Sequence, residues 1–176
     1  MGPAAFMAQP PEFRFCPRCG AGLLPRRLKP GEPERLACAG CGFIFFLDPK
    51  LAAGTVCPLD GGIVLVRRGI EPAYGKWVIP GGYVDRGEAV AAAAIRETLE
   101  EASLEVAIRD LVNVYSYPGN PVVVVVYLAQ VLGGQLRAGD EALEARVFPP
   151  TALPWEELAF PSTGEALRDY LRRFGT

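Results

Sequence analysis

Six residues between positions 82 and 101 have types and spacing that would allow them to do chemistry together. They are Gly82, Glu88, Arg96, Glu97, Glu100 and Glu101. If the chain is helical from Ala89 to Ala102, the last three glutamates fall at i, i+3 and i+4 and share one face. Two glutamates at i and i+4 destabilise a helix by about 0.2–0.5 kcal/mol unless a positive charge lies between them. A divalent cation bound by the three carboxylates would supply that charge.

A simpler interpretation of the same helix is a solvated acidic face, on which Arg96 pairs with Glu100 one turn away. The segment before the helix argues against it. Pro-Gly-Gly at 80–82, followed by Gly87, predicts a tight loop in which backbone groups can approach a ligand closely. A loop of this kind at the start of an acidic helix favours the cation site.

These acids need a helix and a sheet to hold them in place. Ile95, Leu99 and Ala102 lie opposite the acids on the helix, so we expect them to pack on the core. The candidate strands share apolar or β-branched composition and are bounded by turn residues. They are Leu51–Cys57, Ile63–Arg67, Trp77–Ile79, Val106–Tyr115, Val122–Leu132 and Ala145–Phe148. Asp60-Gly61 between the first two predicts a hairpin turn.

A second helix is predicted at the C-terminus. Ser162 and Glu165 have the Ser-x-x-Glu spacing of a capping box, which marks a helix start. The residues of its apolar stripe are Leu167, Tyr170, Leu171 and Phe174. This stripe predicts a helix that docks on the sheet.

Composition removes several classes of mechanism. The chain has 176 residues, no histidine and a formal net charge of −2. Without an imidazole, Ser-His-Asp hydrolysis, Cys-His proteolysis and histidine-containing zinc sites are excluded. Such a chain has no overall basic field that would attract nucleic acid or an anionic membrane, so we expect neither as a partner. Carboxylate-bound hard cations and cysteine-bound zinc are the metal chemistry that remains.

The sequence also bears on location. The longest apolar run, Val122–Leu132, is far shorter than the ~20 residues of a membrane helix. The N-terminus lacks the charged start and sustained apolar region of a signal peptide. We therefore expect a cytoplasmic protein.

Four of the five cysteines form two Cys-x-x-Cys pairs. Cys16 pairs with Cys19 and Cys38 with Cys41, and 18 residues separate the pairs. This spacing is typical of a tetrahedral zinc site, and four thiolates leave no open position for catalysis, so we interpret the zinc as structural. The alternative, disulfides or free thiols, is disfavoured in a reducing compartment. Cys57 lies in a strand-like stretch and is expected to be an ordinary core residue.

The chain divides into three parts on composition. Residues 1–12 are rich in proline and alanine and are expected to form a flexible tail. Residues 13–49 hold the cysteines and are expected to form a zinc ribbon. Residues 50–176 hold the strands and the acidic helix and are expected to be the main domain.

The glycine, five residues, Glu, seven residues, then Arg-Glu-x-x-Glu-Glu resemble the signature box of the Nudix hydrolases. The box departs from the usual pattern at Thr98, where an aliphatic residue is common, and at Ser103, where glycine is common. A positive φ at that position would cost serine about 1 kcal/mol. The resemblance implies a Nudix α/β/α sandwich with a mixed sheet, preceded by a small zinc ribbon. It further implies hydrolysis of nucleoside diphosphate derivatives.

The resemblance also implies roles for the box residues. Glu97, Glu100 and Glu101 match the metal-binding glutamates for Mg²⁺ or Mn²⁺, and the carbonyl of Gly82 is a common additional ligand. Arg96 is implied to orient the carboxylates and Glu88 to support them. The general base stays open between Glu101 and two acids of a later loop, Glu141 and Glu144, which are otherwise solvated.

Further residues are candidates for substrate contact. Arg67 and Arg68, at a strand end, would bind phosphate or simply solubilise the surface. Aromatic side chains would stack on a flat ring, with core packing favoured for the first of them. They are Trp77, Tyr83, Tyr115 and Tyr117.

The chain as a whole resembles bacterial relatives of plant chloroplast FAD pyrophosphatases, on segments 69–88 and 154–163, and less closely the NADH pyrophosphatases. The Ser-Gln-Pro-Trp-Pro-Phe-Pro-x-Ser motif of the latter is absent. The implied substrate is FAD or ADP-ribose, and the implied assembly a homodimer. Alternatives are an NADH or NAD-capped RNA pyrophosphatase and a noncatalytic nucleotide sensor. A third is an RNA-directed ribbon, less favoured than a bracing one, with these basic residues: Arg18, Arg26, Arg27, Lys29 and Arg35.

Overall fold

The computed structural model describes residues 13–175. The polypeptide forms two compact units that divide between Pro49 and Lys50. The tail expected at residues 1–12 lies outside the described residues.

The smaller unit is a three-stranded antiparallel sheet with two cysteine turns. Its strands are β1 (Leu23–Arg26), β2 (Arg35–Cys38) and β3 (Ile44–Phe45), in the order β1-β2-β3. Cys16, Leu23 and Cys38 are its buried centre, and Phe43 and Phe45 pack against them. So small a core stabilises little on its own, which fits a module that depends on metal.

The larger unit contains eight strands and two principal helices. In chain order they are β4 (Lys50–Val56), β5 (Pro58–Leu59), β6 (Gly62–Arg68), β7 (Trp77–Val78), β8 (Gly81–Tyr83), α1 (Val90–Ala102), β9 (Leu104–Ser116), β10 (Val122–Gly134), β11 (Ala142–Phe148) and α2 (Pro161–Arg173). Short 3-10 turns at Pro150–Ala152 and Trp155–Glu157 precede α2. The six predicted strands are present, although β9 and β10 extend to 13 residues each. The loop predicted at residues 80–82 is wrong in part, because Gly81–Tyr83 form strand β8 by pairing with β4, a partner distant in sequence.

Two sheets organise this unit. One has the order β8-β4-β10-β9, in which β4 and β10 run parallel and the other neighbours are antiparallel. The other has the order β11-β6-β5, and β7 also pairs with β6. The predicted turn at Asp60-Gly61 is confirmed, because both residues have positive φ and join β5 to β6 as a hairpin. The mixed sheet predicted from the sequence is therefore present.

The two helices cover opposite faces of the first sheet. Thr55 and Val56 are neighbours in β4 and so point to opposite sides. Thr55 meets Thr98 of α1, whereas Val56 packs in the cluster that contains Leu167 of α2. Helix, sheet and helix thus form the predicted α/β/α sandwich.

The prediction of which side of α1 packs on the core is wrong in part. Its buried residues are Ala93, Ala94, Thr98 and Ala102, whereas Leu99 is 50% exposed. Small side chains allow the helix to approach the sheet closely, and Leu99 lies about 100° around the axis from Thr98, outside that arc. Ile95 packs on the core as expected.

Helix α2 confirms its apolar stripe but not its predicted cap. Leu167 is fully buried, and the other three stripe residues pack against the same cluster. The helix begins at Pro161, with Phe160 at the N-cap and no capping side chain. Ser162 is buried within the first turn. Proline starts the helix earlier because its fixed φ suits the first helical position and its missing N–H needs no partner there.

Candidate active site

The box acids converge on strand β8. The backbone N–H of Gly81 donates to Glu101 Oε2 over 2.9 Å. A Cβ atom at Gly82 would lie 2.5 Å from the carboxyl carbon of Glu97, so a side chain there would displace that carboxylate. The sequence needs glycine at this position because the α1 glutamates lie directly against the β8 backbone. This contact brings two acids and a backbone segment to one point.

Arg96 connects the remaining acids. Its Nε and Nη2 atoms donate to the two oxygens of Glu88 over 2.9 and 3.0 Å. Its Nη1 donates to Glu97 over 2.7 Å and to Glu100 over 3.0 Å. Nη2 also donates to the carbonyl of Tyr83 over 3.1 Å. The pair between Arg96 and Glu100 expected of a plain acidic face exists, but it is one contact of a guanidinium that ties three carboxylates to β8.

The acids differ in electrostatic environment. Burial, reinforced by the charge of Glu97, raises the pKa of Glu101 to about 7. Burial also raises the pKa of Glu97. By contrast, the hydrogen bonds from Arg96 lower the pKa of Glu88 to about 2. Glu97 and Glu101 are partly buried and repel each other, and they offer only oxygen ligands. Such a set fits a hard divalent cation such as Mg²⁺ or Mn²⁺.

A later loop closes the C-terminal end of α1. The N–H groups of Arg137 and Gly139 donate to the carbonyls of Ala102 and Glu101, each over 3.1 Å. A Cβ at Gly139 would overlap the carbonyl oxygen of Glu100, so only glycine fits. The two hydrogen bonds satisfy carbonyls that the helix end leaves free.

The same loop carries Glu141 toward the box. The N–H of Gly69 donates to the Glu141 carbonyl over 2.8 Å, and the charge of Glu141 contributes to the raised pKa of both Glu97 and Glu101. Glu144 instead accepts from Arg146 Nε over 2.9 Å on exposed surface. The two late acids therefore differ. Glu144 lies in β11 and not in the predicted loop, because that segment pairs with β6, whereas the charge of Glu141 acts on the box acids.

Arg67 and Arg68 organise a loop. Arg67 Nε donates to the carbonyl of Gly75 over 2.9 Å, and Arg68 Nε donates to that of Pro72 over 2.8 Å. The Arg68 guanidinium also lies 5.2 Å from the ring centre of Phe160, and its charge acts to lower the pKa of Glu101. This loop-holding role was missed in the sequence, because an acceptor on a backbone carbonyl leaves no signal in residue types.

The aromatic candidates divide into buried and open rings. Trp77 is 4% exposed and packs edge-to-face on Phe148, with 4.8 Å between ring centres. It is therefore a core residue and not an open stacking platform. Tyr115 is buried and donates to Asp169 over 2.9 Å. Tyr83 is 53% exposed, directly follows Gly82, and has Lys50 Nζ 5.0 Å from its ring centre. Sequence patterns did not single out Lys50, since its partner lies on another strand.

Tyr117 has a different environment from the other tyrosines. Its hydroxyl is buried and has no hydrogen-bond partner within 3.5 Å in the described part of the chain. Burial, together with the nearby charge of Glu165, raises its pKa to about 12. The ring is therefore partly enclosed rather than open like that of Tyr83.

The four ribbon cysteines come together. One Sγ from each of Cys16, Cys19, Cys38 and Cys41 lies within 4.8 Å of the others, and none forms a disulfide. Tetrahedral zinc with bonds of about 2.3 Å needs sulfur atoms about 3.8 Å apart. The Cys16–Cys41 distance is 3.8 Å and the Cys19–Cys38 distance 3.4 Å. Only a small adjustment is therefore needed to hold the ion.

Backbone groups favour the thiolate form of one of these cysteines, Cys38. The N–H groups of Gly40 and Cys41 donate to Cys38 Sγ over 3.3 and 3.4 Å. The bond from Cys41 is the main cause that lowers the pKa of Cys38 to about 6. The second cysteine turn thus favours a thiolate. Cys57, in contrast, is fully buried in the larger unit, as expected for a core residue.

An α/β/α domain with a cluster of helix-borne glutamates, joined to a four-cysteine ribbon, defines a class of hydrolase. The NUDIX domain family matches residues 48–170, and the family described as Nudix N-terminal, a zinc ribbon, matches residues 14–46. The chain belongs to the Nudix hydrolase family and carries its N-terminal zinc ribbon. Among the described residues, no helix is long and apolar enough to cross a membrane.

Curated relatives differ in how much of them the chain covers. An ADP-ribose pyrophosphatase from Methanocaldococcus jannaschii is 37% identical over 131 residues, which is 72% of this chain and 76% of that protein. The NAD-capped RNA hydrolase NudC from Pseudomonas aeruginosa is 27% identical over 144 residues, or 80% of this chain. That match covers 49% of NudC, so the chain spans about half of its length.

Solved structures share the architecture. A NUDIX hydrolase from Nitrosomonas europaea has a TM-score of 0.86 at 33% identity and covers 92% of both chains. An ADP-ribose pyrophosphatase from Streptococcus suis has a TM-score of 0.59 at 25% identity, over 72% of this chain and 94% of that one. The first match extends over nearly the whole molecule.

Proposed function

We propose that the protein is a divalent-metal-dependent pyrophosphohydrolase that cleaves the diphosphate linkage of ADP-ribose or FAD. The observation that carries the proposal is the contact of Glu97 and Glu101 with the β8 backbone at Gly81 and Gly82. It brings two carboxylates against the backbone segment where the sequence box anticipates a cation. A noncatalytic sensor is disfavoured, because a module that only binds nucleotide has no need to keep all the box acids.

The residues that would hold the cation are Glu97, Glu100, Glu101 and the carbonyl of Gly82. A bound Mg²⁺ or Mn²⁺ would neutralise the diphosphate and lower the pKa of the attacking water. Arg96 orients two of these carboxylates through one Nη atom, and Glu88 fixes Arg96 from the other side. One guanidinium thus connects the acids that would hold the cation.

A proton must leave the attacking water. Glu101 and Glu141 are the candidates to accept it, since both lie in the acidic cluster, whereas Glu144 is occupied by Arg146. We favour Glu141 because it is not required as a box ligand and its loop is fixed by Gly69 and Gly139. Comparison of Glu141→Gln with Glu144→Gln tests this: we expect kcat to fall about a hundredfold in the first variant only. Equal rates in the two variants would exclude Glu141.

The choice of ADP-ribose or FAD rests on three supports. The Methanocaldococcus jannaschii relative, which is 37% identical over 72% of this chain, is named as an ADP-ribose pyrophosphatase. The sequence resembles the FAD branch in the segments before the box. Tyr83, next to Gly82 in β8, offers an exposed ring with Lys50 over it. A ring of this kind would stack on adenine or isoalloxazine while the ammonium faces phosphate.

Hydrolysis of a substrate panel tests the proposal. Purified protein would be incubated with Mg²⁺ or Mn²⁺ and ADP-ribose, FAD, NADH or NAD-capped RNA, and the products separated by chromatography. We expect AMP with ribose 5-phosphate from ADP-ribose, or AMP with FMN from FAD, at the highest kcat/KM. Faster cleavage of NADH or capped RNA would overturn the substrate assignment, and no cleavage of any member would overturn the enzymatic one.

We further propose that residues 13–49 form a zinc-stabilised module and residues 50–176 the catalytic domain. The cysteine cluster and the division of the chain between Pro49 and Lys50 support these boundaries. Because the zinc is fully ligated by cysteine, its role is to stabilise the fold and not to activate water. Metal analysis of the purified protein should find one zinc per chain.

A further inference from the structure

The strand register gives the ribbon an inner and an outer face. Side chains alternate along each strand, so Leu23, Leu36 and Phe45 point inward with the cysteines. The opposite positions form the outer face. Its residues are Leu24 and Arg26 from β1, Arg35 and Ala37 from β2, Ile44 from β3 and Phe46 directly after β3, and together they form the outer ribbon face. Ala37, between Leu24 and Ile44, is buried, whereas the others are exposed or half-buried.

The outer ribbon face exposes large apolar groups. Leu24 is 61% exposed and Phe46 is 53% exposed. Neither belongs to the described hydrophobic cluster of the ribbon. Exposed apolar side chains that cluster on one sheet face mark a contact surface more often than scattered ones do.

The same face carries an unrelieved repulsion. Arg26 and Arg35 are direct cross-strand partners, and like charges in such pairs destabilise a sheet. No acidic residue in the described part of the chain forms an ion pair with either arginine. The Arg35 guanidinium lies 4.8 Å from the ring centre of Phe46. An arginine pair without a carboxylate, beside an aromatic ring, has the chemistry to hold an anion that also carries a flat ring.

We propose that the outer ribbon face binds single-stranded nucleic acid, with phosphates at Arg26 and Arg35 and an unstacked base on Phe46. Guanidinium groups bind phosphate oxygens, and aromatic side chains on small sheets stack on bases of any sequence. A duplex keeps its bases stacked and would leave Phe46 and Leu24 unused. An acidic peptide would satisfy the arginines but not the ring. The overall charge of −2 makes the attraction local and not a property of the whole surface.

Binding of a short oligonucleotide tests the proposal. A fluorescently labelled 12-nucleotide single-stranded RNA would be titrated with the full zinc-loaded chain, without added Mg²⁺, at several salt concentrations. The comparison is with Arg26→Glu/Arg35→Glu and with Phe46→Ala. Loss of two phosphate contacts should reduce the slope of log K against log salt by about 1.4. Loss of the stacking ring should weaken binding about tenfold at every salt concentration.

Matched controls separate this surface from folding and from general charge. Arg109→Glu/Arg172→Glu makes the same change in charge on exposed positions of the larger unit and should bind like the parent. Phe46→Tyr keeps a ring and should retain affinity. All variants should hold one zinc and hydrolyse a small substrate at the parental rate.

The outcomes are distinct. Weaker binding by the outer-face variants alone supports the proposal. No measurable binding by the parent at 50 mM salt, equal loss in the control pair, or tighter binding of a 12-base-pair duplex than of the single strand would overturn it. The result does not depend on which small substrate the catalytic domain cleaves.

Discussion

At the residue scale, Arg96 determines how the box acids share charge. It satisfies both oxygens of Glu88 and one oxygen each of Glu97 and Glu100. The pKa of Glu88 is lowered to about 2 by these hydrogen bonds. A carboxylate held ionised by its arginine keeps that arginine in place, and the arginine in turn aims the other acids. Glu88 is therefore a positioning residue, one step removed from the cation site.

The lowered pKa of Glu88 predicts how its contribution to stability changes with pH. The unfolded pKa of Glu is about 4.3, so the folded state binds this proton more weakly. The stabilisation by Glu88 is complete above that value and is lost as pH falls toward about 2. We expect Glu88→Gln to unfold more easily than the parent at pH 6 and the gap to narrow as pH drops below 4.3. Thermal unfolding followed by tryptophan fluorescence at several pH values checks this. A gap that stays constant across this range would contradict it.

A second residue-scale feature explains why the box carries Thr98. Its hydroxyl donates to the Ala94 carbonyl over 2.7 Å, so it must accept from Thr55 Oγ1, also at 2.7 Å. Thr55 then accepts from the Cys57 thiol over 3.0 Å. All three side chains are fully buried, or nearly so, and each polar group has a partner. Thr98 can therefore stand where an aliphatic residue is common, because Thr55 on β4 forms a hydrogen bond with its hydroxyl.

These linked hydrogen bonds predict that the effects of the two threonine substitutions on stability are not additive. Thr98→Val leaves the Thr55 hydroxyl without an acceptor, which should reduce the free energy of unfolding by about 1–3 kcal/mol. The double variant Thr55→Val/Thr98→Val should cost less than the sum of the single ones, because no orphan hydroxyl remains. Urea unfolding of the three variants, with Thr98→Ser as the control that keeps a hydroxyl, measures the coupling. Simple additivity would show that the two threonines act independently.

At the element scale, the end of α1 sets the geometry of the late loop. Ser103 caps the helix with φ 57° and ψ 31°, and its N–H donates to the Leu99 carbonyl over 3.0 Å. Serine thus adopts the positive φ that the glycine common at this box position would allow without strain. Beyond the cap, the Arg137 and Gly139 amides bind the last carbonyls and bring the loop with Glu141 beside the acids. Helix end and late acid thus form one structural unit.

The left-handed conformation of Ser103 predicts a stabilising substitution. Ser103→Gly removes the strain of a side chain at positive φ and should raise the free energy of unfolding by about 0.5–1 kcal/mol. Ser103→Ala retains a Cβ and should leave stability near the parental value, so the pair isolates the backbone effect. Chemical denaturation with equal m-values is the measurement. A destabilised glycine variant would mean that the serine side chain, not φ, decides the site.

Elements were predictable where their signal is local. The expected helix at 89–102 and the observed Val90–Ala102 differ by one residue, because alanines and i, i+4 spacing specify a helix without outside help. The buried face of that helix was partly missed, since it depends on Thr55 from a distant strand. The α2 cap was missed because Pro161 competes with Ser162 for the helix start. The contacts by which Arg67 and Arg68 hold their loop were also missed, because their acceptors are backbone carbonyls and residue spacing gives no sign of them.

At the scale of the whole molecule, the five cysteines report on two separate units. Four cluster in the ribbon, and Cys57 lies in the core of the larger unit. Burial raises the pKa of Cys57 to about 11, which leaves almost no thiolate at neutral pH. Metal chemistry and thiol reactivity should therefore follow the division between Pro49 and Lys50.

Removal of zinc provides a prediction for the two units. A strong chelator should make four thiols reactive toward a disulfide reagent, because the ribbon loses its main source of stability. Cys57 should react only after denaturant unfolds the larger unit. Counting reactive thiols before and after each treatment, beside the zinc released, tests this. Five reactive thiols on chelation alone would show that the larger unit cannot keep its fold without the metal.

The central claim, that the box carboxylates perform hydrolysis, is tested most directly by turnover of Glu101→Gln. Glutamine keeps an acceptor for the Gly81 N–H, so the fold should survive. With saturating Mg²⁺ and the best substrate of the panel, we expect kcat to fall at least about a hundredfold with the thermal midpoint retained. Glu144→Gln, prepared beside it, should turn over at the parental rate. A folded Glu101→Gln variant with parental kcat would contradict the account.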